Sequence, residues 1–202
     1  PTDIQFKSIP AILKGEDVLA IAQTGTGKTA AFAIPILHML QAQKRSTRSE
    51  GIKCVVMVPT RELALQITEV FERIGKHTKV KVFSVFGGVE QGPQIARLEK
   101  GIDILVTTPG RMFDLVSQGY IHLDRVQILV LDEADQMLDM GFIVPIRQIV
   151  KHLPKVRQNL FFSATMPTDI EKLANELLNP DPLKVSVAPP STTVERVNQQ
   201  VV

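Results

Sequence analysis

The chain has 202 residues, 44% of them hydrophobic, and its 23 basic and 21 acidic side chains leave a net charge of +2. That size suits one globular domain with a full core, and a balance so near neutrality excludes nucleic-acid binding by bulk electrostatics, leaving local contacts only. No run of about 18 apolar residues exists to span a membrane, and the opening Pro1-Thr2-Asp3 has no basic-then-apolar leader; starting at Pro rather than Met, the sequence reads as a fragment of a cytoplasmic protein, the fragment itself expected to be monomeric.

In chain order, Phe6, Ile9 and Ile12 read as the apolar positions of a first helix, with Phe6 in the core. Short β-branched runs at 18–22, 53–58, 80–86, 102–107, 126–131, 160–163 and 183–187 are strand candidates. Amphipathic helices lie between them. Leu63, Ile67, Val70, Phe71 and Ile74 fall at helical spacing, with Gly75 as a stop. Phe142, Ile146, Ile149, Val150 and Leu153 repeat that spacing up to Pro154, and Thr168-Asp169-Ile170-Glu171 reads as a capping box for a last helix. This alternation predicts an α/β domain over residues 1–188, a largely parallel sheet of about seven strands with helices on both faces. Ligands of such sheets sit at the carboxyl ends of the strands. Residues 44–51 read as a basic loop. Residues 180–193, with four prolines, read as a linker region. Residues 189–202 are expected to be the linker and lead-in to a second domain.

The single cysteine, Cys54, lies in an apolar run and reads as a core thiol in a reducing compartment. His38, His77, His122 and His152 lack metal-ligand spacing. With no Trp and one Tyr (Tyr120), the chain has no stacking platform for bases, so any nucleic-acid contact is expected along the sugar-phosphate backbone, blind to sequence.

Two stretches carry the chemistry. Ala22-Gln23-Thr24-Gly25-Thr26-Gly27-Lys28-Thr29 joins the first strand to a helix. Backbone amides converge there on the positive end of the helix, which is how phosphate is held, with Lys28 for the β- and γ-phosphates and the Thr29 hydroxyl for Mg²⁺. The plainer alternative is an ordinary Gly-rich turn, and Ala22 replaces the usual first glycine. Leu129-Val130-Leu131-Asp132-Glu133-Ala134-Asp135 is an apolar strand ending in carboxylates. Beside a phosphate loop, Asp132 suits the metal, through water or directly, and Glu133 suits the general base.

Together these motifs resemble the DEAD-box RNA helicases, whose phosphate loop begins with Ala. The other family signatures follow in order: Pro1-Thr2-Asp3-Ile4-Gln5 is similar to the Q motif, Pro59-Thr60-Arg61-Glu62-Leu63 to motif Ia and Gly87-Gly88 to the glycine doublet. Thr108-Pro109-Gly110-Arg111 is similar to motif Ib, and Ser163-Ala164-Thr165 to motif III. The resemblance covers nearly the whole chain, but only the first of the family's two RecA-like domains, and the lack of long extensions looks bacterial. It implies ATP selected by Gln5, Mg²⁺, and RNA across Pro59, Thr60, Arg61, Gly88, Thr108, Gly110 and Arg111. Helix N-terminal amides can supply such contacts without net charge. It also implies that Ser163 and Thr165 bond Asp135 and couple the two ligands. The plain alternative for Arg61 and Arg111 is a salt bridge to Glu62 or Asp114. The family's adenine-stacking aromatic would precede Pro1. The motifs leave open an ATP-gated RNA clamp or, against the spelling of Asp132–Asp135 and the Gln5 motif, a DNA helicase. Alone, the chain is expected to bind nucleotide, hydrolyse it poorly and unwind nothing.

Overall fold

A computed structural model describes residues 1–43 and 50–187. The expected lead-in at 189–202 and most of the basic loop at 44–51 lie outside the described residues. Seven strands form one wholly parallel sheet, β1 (Val18–Ile21), β2 (Cys54–Met57), β3 (Val82–Val85), β4 (Ile104–Thr107), β5 (Ile128–Leu131), β6 (Gln158–Ser163) and β7 (Leu183–Ser186), in the order β3-β4-β2-β5-β6-β1-β7. Each strand matches a predicted run, trimmed by one to three residues or, at β6, extended. The central strands β2, β4 and β5 are buried along their whole length, as a sheet covered on both faces requires.

Side-chain alternation divides the core. Cys54 and Val56 point toward α1 (Asp3–Leu13), α2 (Lys28–Gln43) and α3 (Arg61–Ile74). Val55 and Met57 point the other way, toward the layer of α4 (Gly92–Leu98), α5 (Pro109–Ser117), α6 (Ala134–Asp139), α7 (Ile143–Val150) and α8 (Thr168–Leu177). Cys54 is fully buried, which drives its thiol pKa far up and makes it the inert core thiol expected.

Three local expectations are corrected. Phe6 is 74% exposed, because the buried stripe of α1 is Ile4, Ser8, Ala11 and Ile12, and Phe6 falls on the opposite face. Thr168 is the first helical residue of α8 rather than its cap. Pro167 holds the cap position and makes no side-chain cap bond. Helix α7 ends at Val150, before Leu153 and Pro154, which lie beyond it.

A buried polar clasp closes the far edge of the sheet. The Asp17 carboxylate, at the foot of β1, accepts from the Asn159 amide N–H (2.7 Å), the Asn159 side chain (3.2 Å) and the Asn179 N–H (2.8 Å), tying β1 to β6 and to the turn before β7. Asp17→Ala leaves two backbone donors without their acceptor, so it is expected to cost about 2 kcal/mol. For a domain this size that is about 4–8 °C in thermal midpoint. A melt by circular dichroism checks this, and an unchanged midpoint contradicts it.

Candidate functional site

The sheet order sends the chemistry to two neighbouring stretches of one edge. The ends of β1, β6 and β5 carry the phosphate loop, Ser163-Ala164-Thr165 and Asp132–Asp135. The ends of β2, β4 and β3 carry Pro59–Arg61, Thr108–Arg111 and Gly87-Gly88.

At the first stretch, the Ala22 N–H donates to the Ser163 carbonyl (2.9 Å) and the Ala22 methyl is buried in the core, which accounts for an alanine there. Residues 23–27 turn back toward α2, held by the Thr26 hydroxyl on the Gln23 carbonyl (2.8 Å), while Gln23 and Thr24 stay exposed. Gly25 and Gly27 have φ of 83° and 89°. The positive φ of Gly27 already disfavours any side chain, and a Cβ there would lie 2.6 Å from Gln5 Nε2 and push the Gln5 amide off the loop. Gln5 sits against this turn: its Nε2 donates to the Gly27 carbonyl (3.3 Å) and its Oε1 accepts from the Thr2 N–H (3.1 Å). The side chain expected to read adenine is thus tethered to the phosphate loop.

A cleft of about 400 Å³ opens beside the loop. Thr24, Gly25, Gly27, Lys28, Thr29, Asp132 and Glu133 line one side of it, and Leu63, Gln66, Val70 and Arg73 of α3 the other. Lys28 is 6% exposed, and its ammonium lies 3.4 Å from Asp132 Oδ1; beyond that ion pair Nζ has no hydrogen-bond partner. A buried ammonium with unfilled donors at the root of a loop of backbone amides fits a phosphate group. Asp132 is 2% exposed; burial pushes its carboxyl above the usual range, with Lys28 opposing. Its Oδ1 also accepts from the Glu133 N–H (3.0 Å). Glu133 is raised by partial burial and by the neighbouring Asp132 charge. At φ 55° and ψ 50° it is left-handed, the one non-glycine with positive φ among the described residues. Strain of this kind persists where the surroundings fix it, as at functional sites. No cluster of three or more His, Cys, Asp or Glu among the described residues is placed to hold a metal alone. Donors such as Thr29 and Asp132 fit an ion of the magnesium type, which keeps waters and arrives with phosphate oxygens.

Asp135 reaches across to β6. Its carboxylate Oδ2 accepts from the Thr165 N–H and hydroxyl, both at 2.9 Å, and its N–H donates to the Ser163 hydroxyl (3.2 Å). Burial raises the Asp135 carboxyl, but these bonds outweigh it and hold the group below its ordinary value.

At the second stretch, Thr60 caps α3 by accepting from the Leu63 N–H (3.2 Å), and Pro59 is buried behind it. Arg61 makes no ion pair among the described residues; its guanidinium stacks on the Phe86 ring, 5.1 Å from the centroid. Gly88 is exposed, with φ 78° and open space where a Cβ would stand. Thr108 precedes α5, buried and without a side-chain cap bond, and Gly110 lies beside the Phe142 ring. The Arg111 Nη2 donates to the Val89 carbonyl at 2.8 Å. Neither arginine forms the salt bridge that was its plain alternative.

Sequence reasoning missed Gln94. Buried on α4, its amide accepts from the Phe86 N–H (2.9 Å) and donates to the Phe86 carbonyl (3.2 Å), pinning the residue before the glycine pair. No pattern in the short helix marked it, since Gln91 and Arg97 lie three residues to either side on the same face.

Three comparisons agree on the family. The DEAD/DEAH box helicase family model matches residues 2–173. The chain is 45% identical over 191 residues to DEAD-box ATP-dependent RNA helicase 5 of Arabidopsis thaliana, covering 93% of this chain and 36% of that protein. It is 44% identical over 200 residues to DEAD-box ATP-dependent RNA helicase RhpA of Helicobacter pylori, covering 99% and 39%. The crystal structure of a DEAD box protein from Methanococcus jannaschii superposes with a TM-score of 0.83 at 39% identity, over 92% of this chain and 49% of that one. The chain therefore spans well under half the length of those curated relatives. With its parallel sheet, phosphate loop and Asp132–Asp135 signature, the chain belongs to the DEAD/DEAH box helicase family.

Proposed function

We propose that this chain is the N-terminal, RecA-like ATP- and RNA-binding domain of an ATP-dependent RNA helicase. The observation that carries the reading is the buried Lys28–Asp132 pair, 3.4 Å apart, with the unfilled donors of Lys28 facing the phosphate loop and Glu133 beside it. In this reading Lys28 and the amides of residues 24–29 hold the phosphates, Gln5 and the loop it touches meet the adenine, and Glu133 takes a proton from the attacking water. Thr29 and Asp132 are the residues that would hold Mg²⁺, which when bound supplies positive charge to the phosphates. RNA lies along Pro59–Arg61, Gly88 and Thr108–Arg111, held through its backbone. Asp135, bonded to Ser163 and Thr165, links the two sites.

Hydrolysis and strand separation further require a second RecA-like domain. Arginines supplied from outside a phosphate site contribute about 10³-fold or more to such reactions. Cys54 is a free, buried thiol, and no helix among the described residues is long and apolar enough to cross a membrane. The test is phosphate release with and without single-stranded RNA, from the 202-residue chain and from a polypeptide carrying both domains. RNA-stimulated turnover by the two-domain protein and little by the chain alone is the expected result. DNA stimulating as well as RNA, or full turnover by the chain alone, overturns the reading.

A further inference from the structure

We propose that the Phe86 ring is a positioning platform that presents Arg61 to a nucleic-acid phosphate, and that Gln94 fixes the platform. The inference rests on the RNA reading above and names how one of its contacts is built.

A salt bridge to Glu62 would have occupied the guanidinium's N–H edge. Stacking occupies only its face. The guanidinium carbon lies over the ring, 5.1 Å from its centroid, and a cation–π contact of this kind consumes none of the N–H donors a phosphate oxygen needs. Phe86 is itself held. It is 9% exposed, and Gln94 pairs with both its N–H and its carbonyl. The same Gln94 amide also donates to the Glu90 carbonyl (3.3 Å), so the turn carrying Gly87 and Gly88 is pinned at both ends.

That turn also fixes the other arginine. Thr108 donates its N–H to the Val85 carbonyl (3.3 Å), and Arg111 donates to the Val89 carbonyl (2.8 Å). Residues 85–89 therefore touch both arginine-bearing helix starts. The same short segment thus holds both arginines, Arg61 through the Phe86 ring and Arg111 through the Val89 carbonyl.

The test uses the 202-residue chain and a fluorescein-labelled ten-nucleotide polyuridine, with affinity read by anisotropy at low salt. Phe86→Leu removes the ring's quadrupole but keeps an apolar side chain, and is expected to weaken binding about three- to fivefold. Phe86→Tyr, which keeps a ring, is expected to bind like the wild type. In an Arg61→Ala background, Phe86→Leu is expected to change nothing further, an outcome that general damage to the fold does not produce.

An RNA-free readout accompanies it. The Arg61 Nε–Hε resonance of ¹⁵N-labelled protein feels the Phe86 ring current, so Phe86→Leu moves it, and Gln94→Ala broadens or moves it. An Arg61 resonance unmoved by Phe86→Leu overturns the platform, as does a Phe86→Leu loss that persists without Arg61. A wild-type chain that binds no polyuridine overturns the RNA reading itself, and with it the purpose given to the platform.

Discussion

Glu133→Gln is expected to lower ATP hydrolysis by the two-domain protein about 10²- to 10⁴-fold, the range for losing a general base. The same change is expected to make the ligand-free chain more stable. Partial burial and the neighbouring Asp132 charge raise the folded-state pKa of Glu133 above its ordinary value. A carboxyl raised in the folded state binds its proton more tightly there than in the unfolded chain. Its ionisation therefore costs nothing below the ordinary carboxylate range and costs progressively more as pH climbs through the raised value. Glutamine removes that cost. Solvent screening at this partly exposed site keeps the gain small, and its sign at neutral pH is a higher thermal midpoint for the variant. It should vanish only well below the ordinary glutamate range, where the native side chain is protonated in both states. Thermal melts of the two proteins across pH check the sign. A Glu133→Gln chain less stable than the wild type at neutral pH contradicts it.

Lys28→Ala is expected to weaken binding of magnesium ADP about 100-fold, or about 3 kcal/mol, as befits losing a buried charged donor to phosphate. Titration with a fluorescent adenosine diphosphate analogue measures this, and a loss below about threefold contradicts it. The substitution also strips Asp132 of its counter-charge. Desolvation already raises that carboxyl and Lys28 is the main opposing influence, so the variant's Asp132 holds its proton to higher pH. The stability cost of Lys28→Ala should therefore be small in acid and grow as the pH rises and the uncompensated carboxylate is forced to ionise.

Much of this architecture was readable before any coordinates. The central strands β2, β4 and β5 announced themselves because a strand buried on both faces is a continuous apolar run, and the Gly-rich turn between β1 and α2 could be placed from the apolar run on either side. What escaped has physical causes. Ser8 sits in the buried stripe of α1 and Phe6 does not, so a rule that sends the larger apolar residue inward chose wrongly. Asp17 and Gln94 earn their places through bonds to backbone groups distant in sequence or across a turn, which no local pattern encodes. Of the strand order, only the Ser163 strand beside the Asp132 strand was expected from the motifs, and β5 and β6 do pair; the rest depends on long crossovers that spacing does not specify. The left-handed backbone at Glu133 could not be foreseen from a residue type that avoids it. At Arg61 the residue was legible but its partner was not, because the ring that holds it lies at the end of another strand.

The most direct test of the central claim is a crystal structure of this chain grown with magnesium ADP. The account expects the β-phosphate within the turn of residues 24–29, with Lys28 Nζ turned from Asp132 to a phosphate oxygen and Gln5 beside the adenine. A nucleotide bound elsewhere, or a Lys28–Asp132 pair still closed at 3.4 Å with no phosphate against it, would contradict the account.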